Sequence, residues 1–220
     1  MVRISHNSKI KTFQKYGDKK IMGYKKYNKE LALTNKDEYM LTRTYTVTYK
    51  RIRYNNIKYR CGNKPNIKQF ERYKDVKCNI SFNEFDDWFE SNYYEVPNTK
   101  FMDIDKDIRL FGIKKSKEYS VNTMLVVPCE INSLFATFNP MRDVKFDKKN
   151  NEYYYKYYQD KITGFRTKEE AIKSYCNLKN AKLKFYIEKF KSKMPNDVLA
   201  ILESKDFNNY KFLYDKKGVA

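Results

Sequence analysis

RDVKFDKKNNEYYYKYYQDKITGFRTKEEA, residues 142–171, decides how the C-terminal third of this chain folds. Two runs, about Arg142–Phe146 and Glu152–Tyr158, are separated by the turn-rich DKKNN, and a third run covers Lys161–Phe165. Short strands joined by tight turns predict a three-stranded antiparallel sheet. Thr167 and Glu170 then have the spacing of a capping box, and the helix they open is predicted to reach about Lys193, before Pro195. Ala171, Tyr175, Leu178, Ala181 and Phe185 can form its inward stripe. In the middle strand Tyr153, Tyr155 and Tyr157 alternate with Tyr154, Lys156 and Tyr158; the alternation does not say which set faces the core.

Working outward, SFNEFDDWFESNYY (81–94) puts Phe82, Phe85, Trp88 and Phe89 on one face of a helix, with Ser81 and Glu84 as its capping box. Its outer face is acidic, so this helix is expected to pack inward without touching phosphate. Residues 99–135 predict a strand, a basic loop, a further turn of helix or strand, and a short helix from Pro128. LTRTYTVTY (41–49) alternates at period two from Thr42 and predicts a strand, and Lys50–Cys61 predicts a short helix with a cationic face. Residues 1–45 read as short extended pieces between turns. The fold class expected is α+β, in two small modules.

Charge bounds the function. The chain has 220 residues and a formal net charge of +19, from 46 Lys and Arg against 27 Asp and Glu. Residues 1–80 alone hold 21 basic and 6 acidic side chains, a local +15. A polyanion is the expected partner, and with 21 Tyr and 15 Phe beside the charge nucleic acid is the first choice. An anionic membrane surface fits less well, because the Lys-rich N-terminal stretch is broken by Gly17 and Gly23 and lacks helical spacing. No apolar run approaches the roughly 20 residues that cross a bilayer, and no signal peptide is apparent, so a cytoplasmic protein is expected. Cys61, Cys78, Cys129 and Cys176 lack C-x-x-C pairing and read as reduced, buried thiols, which makes zinc unlikely.

Asp103, Asp105 and Asp107 are the acidic concentration beside the basic loop, and alternate spacing on a strand would project them to one face. Such a face suits Mg²⁺ or Mn²⁺. The same aspartates could instead pair with Lys106, Arg109 and Lys114 on a solvated edge. Arg51, Arg53, Lys58 and Arg60, with Lys64, Lys68, Arg72, Lys74 and Lys77, form a basic concentration beyond what solubility requires.

Several short motifs in order carry a resemblance: Tyr54-x-x-Ile57-x-x-Arg60-Cys61, Tyr73-Lys74-Asp75, Phe82-x-x-Phe85-x-x-Trp88-Phe89, Ile104-Asp105-Lys106-Asp107-Ile108, Tyr119-Ser120-Val121-Asn122-Thr123 and Val127-Pro128-x-Glu130-Ile131-Asn132. Over roughly residues 45–195 the chain resembles the HNH-type homing endonucleases of bacteriophages. That resemblance implies a ββα-metal nuclease unit followed by a three-strand-plus-helix domain like that of plant ethylene-response factors. It implies Asp105 and Asp107 as metal-binding and catalytic residues and Asn132 on the helix that closes the site. It places the C-terminal sheet in a DNA major groove with Arg142, Lys145 and Lys156 as contacts. Two departures stand out: Ser116 and Met124 occupy positions where the family usually has Asn and Cys. The only histidine, His6, lies outside the matched stretch, so no general base is in view.

The resulting expectation is a basic N-terminal extension (1–45), an HNH-endonuclease-like domain (46–138), a sheet-plus-helix DNA-binding domain (139–195) and a C-terminal tail (196–220). Such a protein would bind double-stranded DNA through Arg51, Arg53, Lys58, Arg60, Arg142, Lys145 and Lys156, and could nick it with Mg²⁺ or Mn²⁺. Two alternatives stand beside it: a catalytically inactive scaffold that regulates or inhibits a host nucleic-acid complex, and an interaction protein docking on an acidic partner. Neither a membrane nor a small-molecule substrate is expected.

Overall fold

A computed structural model describes residues 36–61, 75–157 and 159–213. The expected extended pieces at Lys11–Lys15 and Ile21–Tyr24, together with His6, Lys64, Lys68, Arg72, Lys74 and Tyr158, lie outside the described residues. The chain divides into two compact units, 1–47 and 48–220; of the first, only the helical backbone of 36–47 is described. The second is a mixed α+β unit with small sheets and a long helix.

Helix α1 spans Lys36–Cys61 and corrects the strand expected at Thr42–Tyr49. The alternating Thr, Tyr and Val there favour strand only as a surface propensity, which tertiary context overrides. From Tyr49 onward the pattern is helical. Tyr54 and Ile57 are buried, and the Tyr54 hydroxyl donates to the Ile80 carbonyl at 3.1 Å. Helix α2 (Phe82–Asn92) forms where predicted, with the Ser81–Glu84 capping box closed in both directions and Phe85, Trp88 and Phe89 buried. Its outer carboxylates are not simply solvated: Lys50, itself buried, turns in from α1 to Asp86 (2.6 Å) and Glu90.

Strands β1 (Lys77–Cys78) and β3 (Glu118–Tyr119) make a short parallel pair. Between them in sequence comes β2 (Met102–Asp105), which pairs antiparallel with β4 (Leu125–Pro128), setting Asp103 opposite Val127 and Asp105 opposite Leu125. Helix α3 (Cys129–Ala136) follows β4 at once and buries Ile131, Leu134 and Phe135. Two strands and a helix thus form a local ββα arrangement.

The C-terminal sheet is antiparallel, in the order β5 (Val144–Asp147), β6 (Glu152–Tyr157), β7 (Asp160–Phe165). Arg142, expected to open the first strand, instead belongs to α4 (Pro140–Asp143). Pro140 suits a first helical position, and the Asn139 side chain accepts from the Arg142 N–H at 3.1 Å. Gly164 in β7 has φ +91°, a left-handed conformation that disfavours other residues; the backbone irregularity between Tyr153 and Tyr155 faces this strand.

Helix α5 (Lys168–Phe190) opens with the predicted Thr167–Glu170 box and is followed by a 3₁₀ turn, Lys191–Lys193. Ala171 and Tyr175 point inward as expected, but Leu178 is half-buried, Ala181 exposed and Phe185 59% exposed. The buried stripe instead runs Ile172, Cys176, Lys179, Leu183 and Ile187. Its steps, mostly of four residues, rotate slowly around the helix, and α5 meets the sheet, α3 and α6 (Asn196–Glu203) along its length. Tyr155, fully buried, identifies the inner face of β6; its hydroxyl lies 2.9 Å from Ser174 Oγ.

Val198, Leu202 and Phe207, beyond Pro195, are part of the core. Phe207, completely buried, meets Phe111, Phe135 and Phe138 with ring centroids 4.7–5.1 Å away, and Phe138 stacks on Tyr175. This aromatic cluster crosses the sequence position, 138/139, at which two modules were expected to part. Among the described residues no helix is long and apolar enough to cross a membrane.

Candidate functional site

Two regions hold the residues to which the sequence assigns chemistry. The first is the turn after β2. Only Asp103 and Asp105 lie on the strand; Asp107 follows it, so the three carboxylates do not share a strand face as expected. Asp105 is buried, and its Oδ1 accepts from the N–H groups of Asp107 (2.7 Å) and Ile108 (2.8 Å), an Asx-type cap on the turn. Burial, with the Asp107 charge adding to it, pushes its carboxyl up to about 6. Asp107 is engaged by Lys106 Nζ at 2.7 and 2.8 Å. That ammonium is itself buried and also donates to the Ser116 carbonyl at 3.1 Å.

Asn132 does not reach this pair. Its Nδ2 donates to Asp103 Oδ2 at 2.9 Å, while its Oδ1 is buried with no hydrogen-bond partner among the described residues. Buried polar atoms are seldom left so. Arg53 approaches the other Asp103 oxygen at 3.8 Å and donates to the Met102 carbonyl at 2.8 Å and the Tyr49 hydroxyl at 2.7 Å.

A divalent cation of the Mg²⁺ kind needs carboxylate or amide oxygens with free lone pairs. Asp105 and Asp107 fit poorly, one being a turn cap and the other covered by an ammonium. Asp103 with the orphaned Asn132 oxygen fits better, as one carboxylate and one amide donor. Among the described residues no three His, Cys, Asp or Glu side chains converge to hold a metal. The four cysteines are free; Cys176 is buried, the others half-buried. Burial and the neighbouring Cys78 push the Cys61 thiol up to about 11.

The second region is cationic. On α1, Arg51 lies over the Phe82 ring, 3.5 Å from its centroid, and Lys58 lies 5.8 Å from that of Tyr54; both are exposed. Arg60 donates to the Tyr119 hydroxyl at 3.4 Å. Arg53 points the other way, into the β2 region. On the C-terminal module Lys145 is opposite Tyr154 and Lys156 opposite Lys161. Lys161 is drawn to Asp147 at 2.6 Å, whereas Lys145 and Lys156 are exposed and have no hydrogen-bond acceptor or ion-pair partner among the described residues. Arg142 donates to Asp143 (2.9 Å) and to the Thr137 carbonyl (3.3 Å).

Sequence reasoning passed over Lys179. It is 5% exposed, donates to the Leu134 carbonyl at 3.2 Å, and lies near the Tyr157 and Tyr175 rings. Burial pulls its ammonium down to about 8, against the opposing pull of Asp143. Its signal was legible: Ile172, Cys176, Lys179 and Leu183 step at helical spacing, which places a lysine in an apolar stripe. Compared with protein-family models, with curated proteins and with solved structures, the chain matches none.

Proposed function

We propose that this protein binds duplex DNA through its C-terminal sheet module, aided by the exposed cations of α1, on a scaffold of the HNH-endonuclease plan. The carrying observation is the pair Lys145 and Lys156, exposed on neighbouring strands without a partner among the described residues, in a chain of net charge +19. Lys50, Lys106 and Lys161, by contrast, are held by carboxylates. The ββα arrangement β2–β4–α3 and the sheet-plus-helix module that follows it support the HNH resemblance in order and connection.

A salt series of fluorescence anisotropy on a labelled duplex tests this reading. Affinity should fall steeply with salt, since phosphate neutralisation releases counterions. Binding that is absent in dilute buffer, or indifferent to salt, would leave an acidic protein as the better partner.

On this reading Asp103 and Asn132 would hold the divalent ion, and Arg53 beside them would meet a phosphate oxygen. Mg²⁺ or Mn²⁺ bound there would polarise a scissile phosphate and stabilise the leaving oxygen. A second reading, a binder without cleavage that occupies DNA or a host nucleic-acid complex, is favoured by a specific observation: Lys106 covers Asp107, and Asp105 caps its own turn. Nicking of supercoiled plasmid with Mg²⁺ or Mn²⁺ separates the two. Activity lost in Asn132→Ala supports the first, and no divalent-dependent nicking supports the second.

A further inference from the structure

Strand β5 begins at Val144, opposite Tyr155, so Lys156 and Tyr157 run on past it and leave the edge of β6 uncovered. Helix α4 and the end of α3 border that gap. The result is a cleft of about 430 Å³ with Ser133, Leu134 and Thr137 on one side, Lys145, Tyr154 and Lys156 on the other, and Tyr175 and Lys179 of α5 also lining it. Arg142 and Asp143 complete the lining.

Four cations therefore meet one carboxylate. That carboxylate is already engaged: Asp143 takes Arg142 Nε at 2.9 Å, the Tyr175 hydroxyl at 3.1 Å and the Asn139 N–H at 3.2 Å. Lys179 has three donors, and the Leu134 carbonyl is its hydrogen-bond acceptor among the described residues. An ammonium buried with a single neutral acceptor is costly, and the cost falls when an anion enters beside it. Ser133 and Thr137 also stand at the rim, but each hydroxyl already donates to a helix carbonyl, Ser133 to Glu130 and Thr137 to Ser133, both at 2.8 Å, so the cations are the groups left to meet an anion.

We infer that this cleft is a phosphate-binding site, in which Lys179, Arg142, Lys145 and Lys156 surround a phosphate group carried by a nucleotide or by a polynucleotide backbone. The inference deepens the DNA-binding reading, because three of its proposed contacts converge on a cleft and a buried lysine joins them; it rests on that reading only for the source of the phosphate. The groups facing Lys179 are Asp143 and Arg142 from α4, Lys145 from β5, Lys156 and Tyr157 from β6, and Tyr175 from α5. Burial holds the Tyr175 hydroxyl above its ordinary range, so it stays neutral through mild alkali. Lys179 is held near 8 in the free protein and should regain its proton when phosphate binds. Affinity should therefore weaken as pH rises from 8 towards the ordinary lysine value of about 10.4.

The test is NMR of the full chain with ¹³Cε-labelled lysine, titrated separately with inorganic phosphate, thymidine 5′-monophosphate and a short blunt duplex. The Lys179 resonance is assigned with Lys179→Met, and its titration is followed with and without each probe. An upward shift of its midpoint with the free phosphates assigns the site to a mononucleotide or phosphate ion. The same shift with the duplex alone assigns it to backbone phosphate. Lys179→Met should weaken whichever probe binds by about tenfold or more, as expected for removal of a charge-assisted hydrogen bond. If that variant does not fold, the exposed Lys156→Gln should weaken the same probe. No shift with any probe overturns the inference. Duplex binding with an unresponsive Lys179 also overturns it while leaving the proposed function standing; free phosphate moving Lys179 in a protein that ignores duplex does the reverse.

Discussion

The turn at 103–107 and the cleft beside β6 are both rich in charge, yet they treat it in opposite ways. In the turn nearly every charge is answered from within: Asp105 by two backbone N–H groups, Asp107 by Lys106, Asp103 by Asn132 and Arg53. In the cleft Lys145 and Lys156 have no acceptor among the described residues, and the buried Lys179 has a single carbonyl. Charge with internal partners has its desolvation offset on the spot; charge without them remains open to a ligand. The carboxylates that first suggest catalysis are thus largely engaged within the turn, whereas the lysines of the cleft are left open to a ligand.

The largest test removes what the two regions share. Phe207→Ala empties the centre of the aromatic cluster that joins Phe111 and Phe135 to Phe138, and should cost about 3–5 kcal/mol by urea denaturation. Both regions should lose structure together; loss confined to one would show that they are independent. Next, Lys145→Glu with Lys156→Glu should weaken duplex binding about 100-fold and flatten the salt slope by about 2, without lowering stability. Unchanged affinity would move the interface to α1.

Asp105→Ala should cost about 1–3 kcal/mol, because two turn N–H groups lose their acceptor, and should leave duplex affinity alone. Asp105→Asn keeps an acceptor and removes the buried charge. A carboxyl raised to about 6 contributes stability that is present below its ordinary value of about 3.9 and lost as pH rises through 6. The Asn variant should therefore gain on the natural protein between pH 5 and pH 7, read as the difference in urea midpoint. A variant that loses stability equally at both pH values would show that the charge itself holds the turn.

The smallest effect belongs to Lys179→Met, which should stabilise the free protein at pH 7 by about 1–2 kcal/mol, since a buried, poorly paired ammonium is replaced by an apolar chain of similar length. A lysine depressed to about 8 weakens the fold fully below that pH, and the penalty fades as pH climbs towards about 10.4. The advantage of Met should shrink over that window. Destabilisation at pH 7 would instead make Lys179 a structural anchor for α3 through Leu134.

Local signals account for the elements read well. Both capping boxes, the DKKNN turn and the apolar spacing of 82–89 are contacts between residues a few positions apart, so sequence alone exposes them. The helix over 42–49 was missed because Thr, Tyr and Val carry strand propensity, whereas the backbone follows the helix that packs from Tyr49 to Ile57. The stripe on α5 departs from the expected Leu178, Ala181 and Phe185 because the helix serves successive partners along its length. Arg142 lies in a helical turn whose local signal, Asn139 as cap and Pro140 at the first position, is in the sequence but marks a turn too short to show a helical period.

The charge, the three-strand-plus-helix order and the inventory of aspartates, lysines and tyrosines are legible in the chain alone, since composition and short-range periodicity need no knowledge of neighbours. Which of those groups have partners emerges with folding: Asn132 joins Asp103 and not Asp105, Lys106 covers Asp107, and Lys179 is buried beside an open cleft. Desolvation and pairing depend on atoms brought together from distant parts of the chain, and these decide whether a charge supports the fold or awaits a ligand.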